Sequence, residues 1–544
     1  MGSLELVLAM ALAVVASGYL VRVLPFSLPL PLAQIALGAL ITEIFRHSVV
    51  LNPEIFFLLF LPPLLFLDGW RIPKGGTFRD KAAILELALG LVVFTVLGTG
   101  FLIHWLIPAM PAPVAFALAA ILSPTDPVAV SSITARAPIP KRLMRILQGE
   151  ALLNDASGLV CFRFAVAAAL TGSFSLTSAS LTFLWVVLAG LCMGVGITVA
   201  VSFAQRRLSK HFGDESGSPI LINLLTPFGA YLLAEAVHGS GILAAVSAGI
   251  TMSYVELSGK ALANTRLQRA AVWNTVQFAL NGIMFVLLGE QLPGIFHGAV
   301  ASVTQSGHLR PWWLAVYAFT ITLGLALLRF IWVWASLRLT MFRARQHREQ
   351  VTPLHWRLVL ATSLAGVRGA ITLAGVMTLP LLAPDGSAFP ARELAIFLAA
   401  AVIVLSLVMA SIGLPRTLKG LVLPAESAEQ VEEDRARHDA AIAAIAAIEK
   451  AQQGRTQQTA ESEIYIHAAA YVLALYRHRL ESSATSPSEA VQLRTTEEAE
   501  RSLRLTALQA EREKIFSLAR QSQISNQVSR KLVREIDLLE SRYR

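Results

Sequence analysis

Apolar runs alternate with short polar connections over most of the chain, and nearly every run is long enough to cross ~30 Å of hydrocarbon as a helix. The runs fall near residues 3–23, 27–45, 50–69, 82–107, 112–134, 147–171 and 178–203, then near 218–237, 239–255, 270–292, 311–337, 355–383 and 393–414. Thirteen transmembrane helices are predicted, the ninth of them short. Past residue 424 the pattern changes to polar helices near 426–450, 462–482 and 488–543. The last carries an apolar stripe through Leu503, Leu508, Ile515, Leu518, Ile524, Leu532, Ile536 and Leu539, the spacing of a packed bundle or coiled pairing. The predicted organisation is a transmembrane domain, 1–424, followed by a soluble helical tail, 425–544.

Composition agrees with that division. Of 544 residues, 55% are hydrophobic and 15% charged, with a mean hydropathy of +0.60, a balance that excludes a soluble globular protein. The net charge of +9 does not point to nucleic acid, because the basic residues are spread over short connections and no nucleic-acid module appears in the tail. About 21 of them, from Arg22 and Lys74 to Arg416 and Lys419, fall in one set of alternate connections, against three, Arg46, Arg310 and Arg392, in the other. The positive-inside rule then places the N-terminus outside and the tail in the cytoplasm, as expected of a multi-pass protein of a bacterial inner membrane. Met1 to Leu20 opens on Glu5 rather than a basic segment and reads as a retained first helix. Cys161 and Cys192 have no CxxC spacing or neighbouring His that would make a metal site.

Thirteen spans divide as six, one and six, so the two halves begin on opposite sides of the membrane. That is inverted topology, and transporters built this way place their site near the midplane, where interrupted helices cross. Spans five and twelve hold the same rank in their halves, and both are interrupted. Span five contains Ser123-Pro124-Thr125-Asp126-Pro127, where each proline removes a backbone donor and pushes its predecessor out of the helical region. Span twelve contains Gly366-Val367-Arg368-Gly369, a cation flanked by residues that weaken a helix.

Ionisable groups within the membrane mark function. Glu150, Asn154 and Asp155 open span six; at 100° per residue Glu150 and Asn154 share a face, and Asp155 is turned roughly 100° further. Asp155 is the candidate carrier and Na⁺ ligand, since a carboxylate in a cavity of low dielectric can exchange one proton for one cation. Glu150 is expected to pair with Arg368 as structural support, with Asn154 beside it. Thr125 offers a carbonyl freed by the break. Asp126 is read either as an ion ligand, accepting hydrogen bonds from Asn154 or from amides of the other broken span, or as a helix cap. Arg163 either tunes the cavity or pairs with Asp68 or another acid. Glu235 and Glu290 are placed at outer helix ends, where they snorkel.

These residues resemble the electroneutral sodium/proton exchangers, a family that includes bacterial NhaP and animal NHE proteins. The likeness rests on Leu61-Pro62-Pro63-Leu64-Leu65, on Ser123 to Val130, on Gly149-Glu150-Ala151-Leu152-Leu153-Asn154-Asp155 and on Gly366-Val367-Arg368-Gly369-Ala370-Ile371. The resemblance implies a homodimer whose six-helix cores carry the ion by an elevator-like motion. Its Asn154-Asp155 pair is similar to that of the electroneutral branch. Two departures stand out: Ala151 lies where some relatives place a serine ligand, and Leu67, with Asp68 next to it, occupies the place of an expected acid. Ser123, Thr125, Asp68 or water is left to complete the ligand shell.

The function implied is exchange of Na⁺ or Li⁺ for H⁺, with K⁺/H⁺ or broad monovalent cation exchange as the alternative. No cofactor is expected, and the tail is read as regulatory. A channel fits the paired interrupted helices less well. An intramembrane aspartyl protease, suggested by Asp126 and Asp155, lacks its Gly-x-Gly-Asp motif, so the chain is not expected to be an enzyme.

Overall fold

A computed structural model describes residues 2–24, 28–45, 53–71, 90–134, 141–171, 176–212, 217–257, 263–305, 312–346, 356–383, 386–419, 427–453, 460–481, 487–521 and 523–543. Arg46, Lys74, Arg79, Lys81, Arg136, Lys260, Arg310 and Arg348, which contribute to the charge count above, lie outside the described residues, as does the 424/425 boundary. The chain divides into two compact units, Met1–Leu421 and Val422–Arg544.

The first unit is helical, and the expected thirteen spans are present among its described residues. Spans one to four are α1 (Gly2–Val23), α2 (Leu30–Phe45), α3 (Pro53–Trp70) and α4 (Leu91–Leu106). Span five is two short helices, α5 (Ala112–Leu122) and α6 (Pro127–Thr134), and span six is α7 (Lys141–Thr171). The linking span is α8 (Leu176–Phe212); α9 (Ser218–Ala236), α10 (Gly241–Leu257), α11 (Ala263–Gln305) and α12 (Trp312–Gln346) follow. Span twelve is again divided, into α13 (Trp356–Leu364) and α14 (Ala370–Met377), before α15 (Arg392–Leu418).

The interrupted helix α5 is apolar all round and buries every residue from Ala117 to Leu122, whereas α8, α9 and α12 turn Trp185, Phe203, Leu225 and Phe319 outwards. An apolar exterior of this kind suits lipid rather than water. Helices α2 and α11 meet backbone to backbone: a Cβ on Gly38 would strike the Val286 carbonyl, and one on Gly289 the Ile35 carbonyl. Small residues permit such approach where water supplies no driving force between helices.

Glu290 does not snorkel. Helix α11 continues to Gln305, so residue 290 is far from its end; the side chain is 1% exposed and accepts a 2.7 Å hydrogen bond from Gln291 Nε2.

The second unit consists of α16 (Ser427–Gln453), α17 (Ala460–Glu481), α18 (Pro487–Arg520) and α19 (Asn526–Tyr543). None of them is among the helices long and apolar enough to cross a membrane. The predicted last helix is two helices: the Gln523 amide donates to the Leu518 carbonyl at 3.0 Å, ending α18, and Ser525 Oγ accepts from the Val528 amide at 3.2 Å, capping α19. The apolar stripe is accordingly split. Leu508 and Ile536 are buried, while Leu503 and Leu539 are exposed. Arg512 ties the pair together through Asp537, at 3.0 Å, and Glu540.

Candidate functional site

The two interrupted spans cross at their breaks. Pro127 opens α6, where its missing N–H is no loss, and the Asp126 amide donates to the Val367 carbonyl of the other break at 2.7 Å. Asp126 Oδ1 caps α6 by accepting from the Ala129 amide at 3.2 Å. A Cβ on Gly369 would overlap the Asp126 side chain, so the same carboxylate also stands against the start of α14. One acid therefore meets the positive ends of two half-helices, and it caps α6.

Arg368 complements the opposite ends. Its Nε donates to the Leu122 carbonyl, the last of α5, at 2.8 Å, and its Nη1 donates to the Gly366 carbonyl. The Arg368 amide donates to Ser406 Oγ at 3.1 Å. Helix C-termini leave carbonyls without intrahelical partners, and the guanidinium is committed to them.

The expected Glu150–Arg368 pair is thus not formed. Glu150 pairs with Arg329 of α12, whose Nη1 and Nη2 donate to Oε1 at 2.5 Å and Oε2 at 2.8 Å. The Arg329 Nε donates to the Thr362 carbonyl at 3.1 Å. Acid and base are 0% and 2% exposed, a bidentate buried pair joining spans six and eleven.

Asn154 faces Glu150 as its helical position requires. Its Nδ2 donates to Thr125 Oγ1 at 3.0 Å and Glu150 Oε1 at 3.3 Å, rather than to Asp126. A carboxylate can only accept, so the amide nitrogen must face Glu150, and Oδ1 is left buried without a partner among the described residues.

Asp155 is 3% exposed and lines a cavity of about 30 Å³, room for one or two water-sized guests. Asp68, Thr125, Asp126, Gln277, Asn281 and Thr372 are also in its wall. The three carboxylates share the cavity without forming a ready chelate among the described residues. Ser123 is not in the wall: its hydroxyl donates to the Ala120 carbonyl at 3.0 Å, within its own helix. Arg163 is likewise elsewhere, half-exposed and paired with Glu235 at 3.0 Å, not with Asp68.

Sequence reasoning missed Arg329, Gln277 and Asn281. The signal for Arg329 was available: it is a single cation within the strongly apolar stretch Trp312–Ser336. Gln277 and Asn281, four residues apart in α11, share a helical face.

Two interrupted spans that meet at their breaks, with carboxylates around a small cavity, form the kind of site that secondary transporters build. Residues 10–420 match the family model for the transmembrane sodium/hydrogen exchanger, and the chain belongs to that family. It is 40% identical over 541 residues to an uncharacterized Na(+)/H(+) exchanger of Escherichia coli, YjcE, covering 98% of each chain. It is 37% identical to a sodium, potassium, lithium and rubidium/H(+) antiporter of Bacillus pumilus, over 98% of this chain and 77% of that one. The fold is similar to that of the sodium proton antiporter MjNhaP1 from Methanocaldococcus jannaschii, with a TM-score of 0.54 at 15% identity, covering 77% and 99% of the two chains.

Proposed function

We propose that the chain exchanges Na⁺ or Li⁺ for H⁺, with Asp155 alternately holding a proton and a cation. The observation that carries this reading is the place of Asp155: its carboxylate is buried at the helix crossing and lines a cavity together with Asp68 and Asp126. A buried carboxylate that shares a cavity with two others needs a proton, a cation or water to offset its charge. Thr125, Asp126 and Asp68, which share the cavity wall with Asp155, carry oxygens suited to a hard cation. One carboxylate that loses a proton when it gains a cation makes the exchange one-for-one and electroneutral.

In this reading the broken spans and their neighbours form a core that moves past α1–α3 and α8–α11 as an elevator. The Glu150–Arg329 pair keeps spans six and eleven of that core together. The protein functions as a homodimer in a bacterial inner membrane, N-terminus outside, and residues 425–544 form a cytoplasmic regulatory tail. The second reading, broad exchange of alkali cations including K⁺ and Rb⁺, is favoured by the likeness to the Bacillus pumilus antiporter.

The test is collapse of an imposed pH gradient in proteoliposomes on adding Na⁺, Li⁺, K⁺ or Rb⁺. Collapse by Na⁺ and Li⁺ at a rate independent of the clamped membrane potential is expected. Equal responses to K⁺ and Rb⁺ select the second reading, and a rate that follows the potential excludes electroneutral exchange.

A further inference from the structure

Arg71 directly follows α3 and reaches across to α11. Its Nη1 donates to Gln277 Oε1 at 2.6 Å and its Nη2 to Asn274 Oδ1 at 2.5 Å. A guanidinium offers only donors, so both amide oxygens must face it and both NH₂ groups are turned elsewhere. Gln277 is also part of the cavity wall, as is Asp68, three residues before Arg71. A permanently charged cation therefore stands one side chain from a cavity lined by Asp68, Asp126 and Asp155. The same cation draws away the one neutral oxygen that Gln277 could offer to a guest.

We propose that Arg71 sets the affinity of the cavity for its cation, acting as a fixed competitor: its charge opposes the arriving ion and its fork withholds the Gln277 carbonyl. The proposal rests on the assignment of this cavity as the cation site. It makes Arg71 a positioning residue rather than a ligand. Because Arg71 is exposed, its influence through space is screened by salt.

The experiment is a charge series at this position, Arg71→Lys, Arg71→Gln and Arg71→Glu, in the full chain reconstituted in vesicles. Cation-driven proton flux is measured against Na⁺ concentration at low and high ionic strength, adjusted with choline chloride. For a unit charge one side chain away from the cavity, in a medium between protein surface and water, the apparent KM should fall roughly severalfold in Arg71→Gln. It should fall further in Arg71→Glu and stay near the native value in Arg71→Lys, with kcat little changed. The differences should shrink at high ionic strength.

An apparent KM that does not decrease in the order Lys, Gln, Glu overturns the proposal, as does loss of affinity in Arg71→Lys equal to that in Arg71→Gln, which marks a purely structural role. Absence of cation-driven flux in the native protein is a separate outcome: it overturns the antiport reading and this proposal with it.

Discussion

Removing the Arg329 guanidinium leaves the Glu150 carboxylate buried with its bidentate partner gone. The two hydrogen bonds lost are 2.5 and 2.8 Å long, and the acid is 0% exposed, so water cannot replace them without opening the helix packing. Breaking a buried pair on one side costs about 3–5 kcal/mol, and Arg329→Gln and Glu150→Gln should each lose that much. The double variant carries no unpaired charge and should lose only about 1–3 kcal/mol, the scale of an imperfect neutral hydrogen bond. The single losses sum to about 6–10 kcal/mol, so the expected coupling is at least about 3 kcal/mol, the upper end for residues in contact. Glu150→Gln with Arg368→Gln should show a smaller coupling than Glu150 with Arg329, because the Arg368 guanidinium donates to the carbonyls of Leu122 and Gly366 rather than to Glu150. Unfolding in detergent, followed by tryptophan fluorescence, supplies both cycles. A larger coupling for Glu150 with Arg368 than with Arg329 would refute the assignment.

The remaining predictions concern the crossing, an outer ion pair and the tail. Gly369→Ala places a Cβ against the Asp126 side chain and should destabilise the protein by about 1–3 kcal/mol, with flux reduced at least tenfold; native flux and native thermal stability would mean that the two breaks do not meet so closely. Arg163→Ala removes a half-exposed pair with Glu235 and should alter stability by no more than ~1 kcal/mol with exchange retained, whereas loss of exchange would give Arg163 a part in the cavity's electrostatics. Truncation after Pro424 should leave exchange intact but change its pH profile, as read in reconstituted vesicles; complete loss of flux at every pH would place the tail within the transport machinery.

The sequence made the breaks legible because Pro124 and Pro127 flank Thr125-Asp126, and Gly366 and Gly369 flank Val367-Arg368, each pair enclosing a charge in an apolar run. A proline alone does not suffice, since Pro62, Pro63, Pro227 and Pro293 lie inside continuous helices. Asp126 and Asp155 were legible for a related reason, since a carboxylate in an apolar run has few explanations. Pairing was harder to read. Glu150 needed a cation, and Arg368 sits in the right span, but the nearer demand on Arg368 comes from the open carbonyl end of α5, leaving Glu150 to Arg329. That choice depends on which spans adjoin, which periodicity does not encode. Ser123 shows the converse error: it stands beside the break in sequence, yet helical geometry turns its hydroxyl to the carbonyl three residues back. Gln277 and Asn281 escaped notice because neutral amides in a long helix carry little signal until the opposing wall is known. In the tail, the interruption after Arg520 depends on Ser525, whose capping role is one of several that a serine can take in a polar helix.

The most direct test of the central claim is exchange of radioactive sodium, together with Na⁺-dependent proton flux, in vesicles containing Asp155→Asn. An amide neither gains a proton nor balances a cation's charge, so both fluxes should vanish although the variant is inserted and elutes like the native protein on size exclusion. Retention of Na⁺-dependent proton flux by folded Asp155→Asn protein would contradict the account and show that another group carries the exchanged ions.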